Sequence, residues 1–257
     1  MSLARQHRER ILAMQTASAP ALEGGFALDG PPDTATLDAG SPAERAAAQV
    51  AMRLQHDLRR LKEVQSIERR IEIKRELLPE YQAWLDGLLA GDAQPTGVAA
   101  EVLPVCMVWS IDTGDWPRAL QLAAHVIERE VPMPGRYKRR AAVLVAEEIA
   151  EVANKAQNAN EAFPLDVLQQ VEALTTGHDM PDEVRAKLVK ALGVALAGHA
   201  ETLTGDQLTT ARSLALGVLQ RAQSLNGRIG VKDRIKRLEK ALAAPVVTEQ
   251  VGEQPAA

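Results

Sequence analysis

The chain has 257 residues, with 30 Lys and Arg set against 34 Asp and Glu for a formal net charge of −4. That length buries a hydrophobic core without disulfide or metal staples, and it allows one or two compact domains. The near balance of charge excludes a polycation that coats nucleic acid indiscriminately, so any nucleic-acid contact must come from local patches. Hydrophobic residues make up 46% of the chain but aromatics only 3%, a mixture dominated by Ala, Leu, Val and Ile that favours helices over strands. The single cysteine, Cys106, lies in the apolar run from Val102 to Trp109. It cannot form an intramolecular disulfide, a buried thiol is expected, and the cytoplasm is the natural compartment. The basic N-terminus is not followed by an apolar run of signal-peptide length, and nowhere do 18 uncharged apolar residues occur together, so neither secretion nor a membrane is indicated.

In chain order, residues 2–14 read as a short basic helix capped by Ser2 and carrying Arg5, His7, Arg8 and Arg10. A stretch rich in Ala, Gly, Pro and Asp follows from 16 to 41 and reads as a linker, so 1–43 is expected to be a flexible basic arm. Ser41-Pro42-Ala43-Glu44 combines an N-cap, a proline at the first helical position and a capping-box glutamate. From there to Arg75 no Gly or Pro intervenes, and Leu54, Leu58, Leu61, Val64, Ile67 and Ile71 form one apolar stripe with a local slip. The stretch 44–75 is therefore expected as one long basic helix that binds DNA or pairs with another helix.

Beyond it, the face of Leu77, Leu78, Tyr81, Trp84, Leu85 and Leu88 predicts a helix that stops at Gly91. Further helices are expected near 98–110, 115–130, 138–157, 164–176, 181–199, 204–225 and 229–243. Gly114-Asp115 and Gly205-Asp206 each stand before an Ala-rich amphipathic segment, where Gly can end one helix and Asp can cap the next. The fold expected is all-α: a long basic N-terminal helix, then stacked helical hairpins with tetratricopeptide-like packing over 76–243. The tail 244–257 is expected to be disordered. Trp84, Trp109 and Trp116 are expected in helix packing.

Two clusters carry candidate chemistry. Pro134 to Arg140 places Arg136, Tyr137, Lys138, Arg139 and Arg140 together after a turn signal, which suits phosphate binding. A solvated turn whose cations pair with Glu147, Glu148 or Glu151 is the plainer alternative. Between Arg53 and Arg75, the cations Arg53, Arg59, Arg60, Lys62, Arg69, Arg70, Lys74 and Arg75 outnumber Asp57, Glu63, Glu68 and Glu72. That surplus fits DNA or an acidic partner as well as it fits a solvated face. The C-terminal helix adds Arg228, Lys232, Arg234, Lys236, Arg237 and Lys240, in part as dipole complement.

A metal-dependent nuclease needs convergent carboxylates around a divalent cation such as Mg²⁺. Asp112 with Asp115, and Glu147 with Glu148 and Glu151, are the sets at hand, but a cap and an exposed face explain them better. No catalytic residue is assigned. The five histidines have no ligand spacing, no zinc or other cofactor site is identified, and no GxxxxGK[ST] loop for ATP occurs.

Five segments together resemble the small terminase subunit of P-two-like temperate tailed phages, also called the terminase endonuclease subunit. They are Lys74-Arg-Glu-Leu-Leu-Pro79 with Tyr81 and Trp84; Val108-Trp-Ser-Ile-Asp-Thr-Gly-Asp115 with Ala119-Leu120; Met133-Pro-Gly135 with the basic run to Arg140 and then Glu147-Glu148; Asp179 to Leu188; and Gly230-Val-Lys with the basic segment after it. The resemblance spans roughly 50–243. It implies binding of the cohesive-end packaging site of double-stranded phage DNA in the bacterial host cytoplasm, assembly as a homo-oligomer, and delivery of DNA to a large terminase subunit bearing the ATPase. Cutting of concatemeric DNA is implied too, by this chain or under its direction. On this reading the DNA-contacting residues are Arg53, Arg59, Arg60, Lys62, Arg69, Arg70, Lys74, Arg136, Lys138, Arg139 and Arg140. A metal-dependent endonuclease in its own right and a helical-repeat adaptor that binds only proteins are the other readings. The family often carries a basic C-terminal extension, whereas Val246 to Ala257 holds Glu249 and Glu253 and no cation.

Overall fold

The Ser41 hydroxyl accepts the Glu44 N–H at 3.2 Å while the Glu44 carboxylate accepts the Ser41 N–H at 2.6 Å, closing the capping box that starts the second helix of the chain. The structure, a computed structural model, describes residues 3–17 and 41–243. Among them are ten helices and no strands: α1 (Leu3–Thr16), α2 (Pro42–Glu63), α3 (Ile67–Ala90), α4 (Gly97–Thr113), α5 (Trp116–Glu128), α6 (Ala141–Asn158), α7 (Leu165–Thr175), α8 (Asp182–Ala200), α9 (Gly205–Leu225) and α10 (Lys232–Ala243). The all-α expectation holds. The Ser2 cap, most of the expected linker and the tail from 244 lie outside the described residues. None of the described helices is long and apolar enough to cross a membrane.

The chain divides into two units, Met1–Val145 with Ala173–His178, and Ala146–Glu172 with Asp179–Ala257. In the first unit, the expected single helix over 44–75 is instead two. Helix α2 ends at Glu63, and α3 starts afresh with Ser66 as its N-cap, the hydroxyl accepting the Arg69 N–H at 3.3 Å. The slip in the apolar stripe marks the break: Val64 and Ile67 cannot keep phase with Leu54 and Leu61 on one straight helix, and a Ser three residues after Glu63 offers a new cap. The Arg70 guanidinium locks the turn by donating to the Val64 carbonyl at 2.6 Å. Helices α2 and α3 then run back along each other, Arg60 meeting Glu76 near the turn and Arg53 reaching the Glu80 carbonyl farther from it.

Helix α4 returns beside α3, tied by Lys74 to Asp112 at 2.6 Å, and α5 follows α3 through Arg118 to Asp86 at 2.8 Å. The core between them holds Leu54, Tyr81, Leu85, Leu88, Leu103, Met107 and Leu122. As expected, Trp84, Trp109 and the Cys106 thiol are buried, and Tyr81 meets Trp109 edge-on with ring centroids 5.9 Å apart. Residues 3–16, expected within a flexible arm, form α1 packed on α2 and α3. The contact is close: a Cβ at Gly87 would lie 2.3 Å from the Arg10 carbonyl oxygen and 2.6 Å from Ala13 Cβ. Only hydrogen at that position lets the two backbones meet.

In the second unit, α8 and α9 form a hairpin, with Gly193 so close to Leu219 that an added Cβ would sit 2.7 Å from its Cδ2. Helix α6 is stitched to α8 by Asn154 to the Lys187 carbonyl at 3.0 Å and Gln157 to the Ala191 carbonyl at 2.9 Å. Helix α10 packs on α9 and buries Leu238. The two Gly-Asp junctions differ. Gly114 ends α4 at φ 75° and Asp115 caps α5, its carboxylate accepting the Arg118 N–H at 3.3 Å. At the second, Thr204 holds the cap position and Gly205 already opens α9, so Asp206 sits in the first turn as a dipole complement.

Candidate nucleic-acid interface

The cations expected to bind DNA fall into two groups once their partners are visible. Arg53, Arg60, Arg70 and Lys74 hold the α2–α3–α4 arrangement together. Arg53 donates to the Glu80 carbonyl at 2.8 Å and lies 6.0 Å over the Tyr81 ring, while Arg60 pairs with Glu76 at 3.0 Å. Arg70 locks the 64–66 turn. Lys74, with only 17% of its side chain exposed, is committed to Asp112. The apparent surplus of charge along 53–75 is thus largely consumed by contacts within the fold. Lys62 and Arg69 remain on the surface near the turn, Arg69 in an i,i+3 pair with Glu72 at 2.7 Å. Exposure of that pair discounts its strength, since water screens it. Arg59 is half-buried.

The 133–140 segment is built differently. The Tyr137 N–H donates to the Pro134 carbonyl at 2.8 Å to close the turn. Arg136 folds back toward α4, its Nη2 3.8 Å from Glu101 Oε2, an ion pair without a hydrogen bond. Burial lifts the Glu101 carboxyl above the ordinary carboxylate range, and Arg136 partly offsets this. Tyr137 is half-buried and its phenol is pushed up by burial, so the ring packs rather than offering itself for stacking. Arg136 and Tyr137 therefore anchor the turn. Lys138, Arg139 and Arg140 are exposed and stand directly before the first residue of α6.

Their position has an electrostatic consequence. The N-terminus of a helix carries partial positive charge from unpaired N–H groups, which favours anions and disfavours cations. Helix α6 has no acidic residue in its first turn, and three cations precede it. An approaching phosphate meets both the side-chain charges and the helix end. Asp112 binds Lys74 of α3, and its charge is among those that act on the Tyr137 phenol of this turn. Arg75, which the sequence counted as a cation without assigning it to the site, is exposed near the same place and donates to the Thr113 carbonyl at 3.3 Å. Its spacing of one residue from Lys74 was the available signal.

Three of the five carboxylates weighed as catalytic candidates have structural partners. Asp112 pairs with Lys74, Asp115 caps α5, and Glu151 pairs with Lys187 at 2.8 Å. Among the described residues no three His, Cys, Asp or Glu side chains converge as a metal site. His56 lies against Asp57, its Nδ1 at 3.3 Å.

Comparison with known proteins adds three findings. The family described as "Phage small terminase subunit" matches residues 51–183, a span that takes in the α2–α3 turn and the 136–140 turn. The chain is 37% identical over 194 residues to "Terminase, endonuclease subunit" of Escherichia phage P2, covering 76% of this chain and 73% of that one. It is 26% identical over 188 residues to "Probable terminase, endonuclease subunit" of Haemophilus phage HP1, covering 72% and 66%. No solved structure matches.

Proposed function

The chain belongs to the phage small terminase subunit family, and from that premise we propose that it binds the cohesive-end packaging site of double-stranded phage DNA and delivers it to the large, ATP-hydrolysing terminase subunit. In this reading it works in the host cytoplasm as a homo-oligomer, so that several copies of one weak phosphate-binding surface act on one duplex. The observation that carries the proposal is the exposed run Lys138-Arg139-Arg140 at the start of α6. A phosphate placed there meets three exposed cationic side chains and the positive end of a helix together. Lys62 and Arg69 at the α2–α3 turn form a second, smaller contact.

The test is binding of the purified chain to cohesive-end and unrelated duplexes across a salt series. Each phosphate contact contributes about 0.9 to the slope of log affinity against log salt, so replacing Lys138, Arg139 and Arg140 with Ala lowers that slope by roughly 2 to 3. An unchanged slope removes this surface from the interface. Because the relatives are named as endonuclease subunits, the same reactions are run with Mg²⁺ and Mn²⁺. Metal-dependent nicking by this chain alone, lost when Glu147, Glu148 and Glu151 become Gln, assigns cutting to it. Site-preferring binding without nicking assigns cutting to a partner that this chain directs.

A further inference from the structure

In and just before α10, the cations Arg228, Lys232, Arg234, Lys236, Arg237 and Lys240 stand against only two carboxylates, Asp233 and Glu239. Dipole complement accounts for Lys240, the basic residue of the last turn. It does not account for Lys232 and Arg234, which stand in the first turn, where the helix end is itself positive. The packing of the helix sorts them. Leu238 is buried, with Ile235 and Leu242 half-buried on the same face. Lys232, Lys236 and Lys240 recur every fourth residue on the opposite side, all exposed, so that successive ones lie about 6 Å apart along the axis.

The fold leaves this charge unspent. Ion pairs elsewhere in the second unit engage Lys187, Arg212 and Arg221, whereas among the described residues none of these six cations is paired with a carboxylate. Arg237 donates only to the backbone carbonyl of Asp233 on its own helix, at 3.3 Å. Glu201, which lines the same cleft as Arg234, is taken by Arg212 at 3.2 Å. A further cation borders the helix from α8. Lys190 is half-buried, and burial, followed by the nearby charge of Arg234, lowers its pKa. No large hydrophobic side chain of α10 is exposed; those exposed among the described residues are Leu3, Ile11, Met14, Ile67, Val152 and Leu214. Protein interfaces centre on apolar and aromatic anchors, whereas duplex interfaces are polar and strongly positive.

We propose that the outward face of α10, built on Lys232, Lys236 and Lys240 and bordered by Arg234 and Lys190, is a second phosphate-binding surface for double-stranded DNA, carried by the second unit. The proposal rests on the reading above that duplex DNA is the ligand, but it uses none of the cations assigned there. A chain of net charge −4 holds a duplex only through local surpluses of this kind. Each lysine is long enough to follow a phosphate and none is needed to hold the fold, which is the division already seen between Lys74 and the 138–140 run.

Duplex binding across a salt series, with the full chain and its Lys232→Gln/Lys236→Gln/Lys240→Gln variant, tests it. Loss of three phosphate contacts is expected to lower the slope of log affinity against log salt by roughly 2 to 3, and arginine at the same three positions is expected to restore it. In the unmodified chain, adding duplex is expected to slow acetylation of these three amines severalfold, a reading that the overall charge of a variant does not enter. An unchanged slope, or acetylation rates that duplex leaves alone, overturns the proposal. A chain that binds poly-glutamate through these lysines, with duplex binding unaffected by their loss, reassigns the face to an acidic protein and overturns it too. Failure of the 138–140 surface looks different: its triple Ala variant then keeps the full slope while the α10 variant loses part of it.

Discussion

Asp57 is 5% exposed, and its Oδ2 accepts the Tyr81 hydroxyl at 2.7 Å. Along the sequence it was one of four anions on a basic helix; in the structure it is an internal acceptor that fastens α2 to α3. Tyr81→Phe leaves that carboxylate buried and short of a hydrogen bond, so a loss of about 1–3 kcal/mol is expected in urea denaturation, with the volume of the core unchanged. No loss of stability would mean that water replaces the hydroxyl. Burial also holds the phenols of Tyr81 and Tyr137 and the Cys106 thiol above their ordinary values. Such groups stay protonated in the folded chain while the unfolded chain ionises them, near pH 8.5 for a thiol and about 10 for a phenol. Their contribution is fully present below those values and is lost progressively as pH rises from them through the higher folded-state values. The urea midpoint is therefore expected to hold level near neutrality and fall in alkali, with a shallower fall in Tyr137→Phe; a profile that Tyr137→Phe leaves identical removes Tyr137 from the effect. Identical residue types also part company at this scale. Arg140 faces solvent beside a helix end, whereas Arg70 spends its guanidinium on one carbonyl six residues away.

Helix boundaries over 97–243 were legible because apolar periodicity is punctuated there by Gly, Pro and Asp, and the expected segments near 98–110, 115–130 and 204–225 correspond to α4, α5 and α9. The break after Glu63 was harder to see, since no Gly or Pro marks it. What ends α2 is a tertiary preference: two antiparallel helices bury Tyr81, Leu54 and Ile73, which one continuous helix would leave half exposed. Helix α1 is a similar case, because its basic face hides the Ala13, Thr16 and Ala17 edge that packs inward. Two glycines separate close approach from mere presence in a helix. Gly87→Ala forces α1 away from α3, and a loss of about 1–3 kcal/mol with faster amide exchange in α1 is expected. Gly217, in α9, has open space where its Cβ would stand; Gly217→Ala is expected to raise stability by about 0.5–1 kcal/mol. If both substitutions shift the thermal midpoint alike, the α1–α3 contact is not as close as described.

Across the whole molecule, the candidate interface depends on which charges remain after the fold has taken its share. Lys74→Ala strands Asp112 in a half-buried position, so it is expected to cost about 1–3 kcal/mol of stability and leave the salt dependence of DNA binding intact. The triple Ala substitution at 138–140 is expected to flatten that salt dependence. If Lys74→Ala flattens the salt dependence as strongly, the division between structural and DNA-facing cations fails. Helical class, the Ser41 and Asp115 caps, the buried thiol and the family could be read from the sequence, because propensity, periodicity and ordered motifs are local properties of the chain. Which of eleven candidate cations face outward could not. Pairing across 16 to 38 residues, as in Arg60 with Glu76 and Lys74 with Asp112, exists only once separate helices lie side by side, and it is this pairing that decides whether a positive charge holds the protein together or is left for a partner.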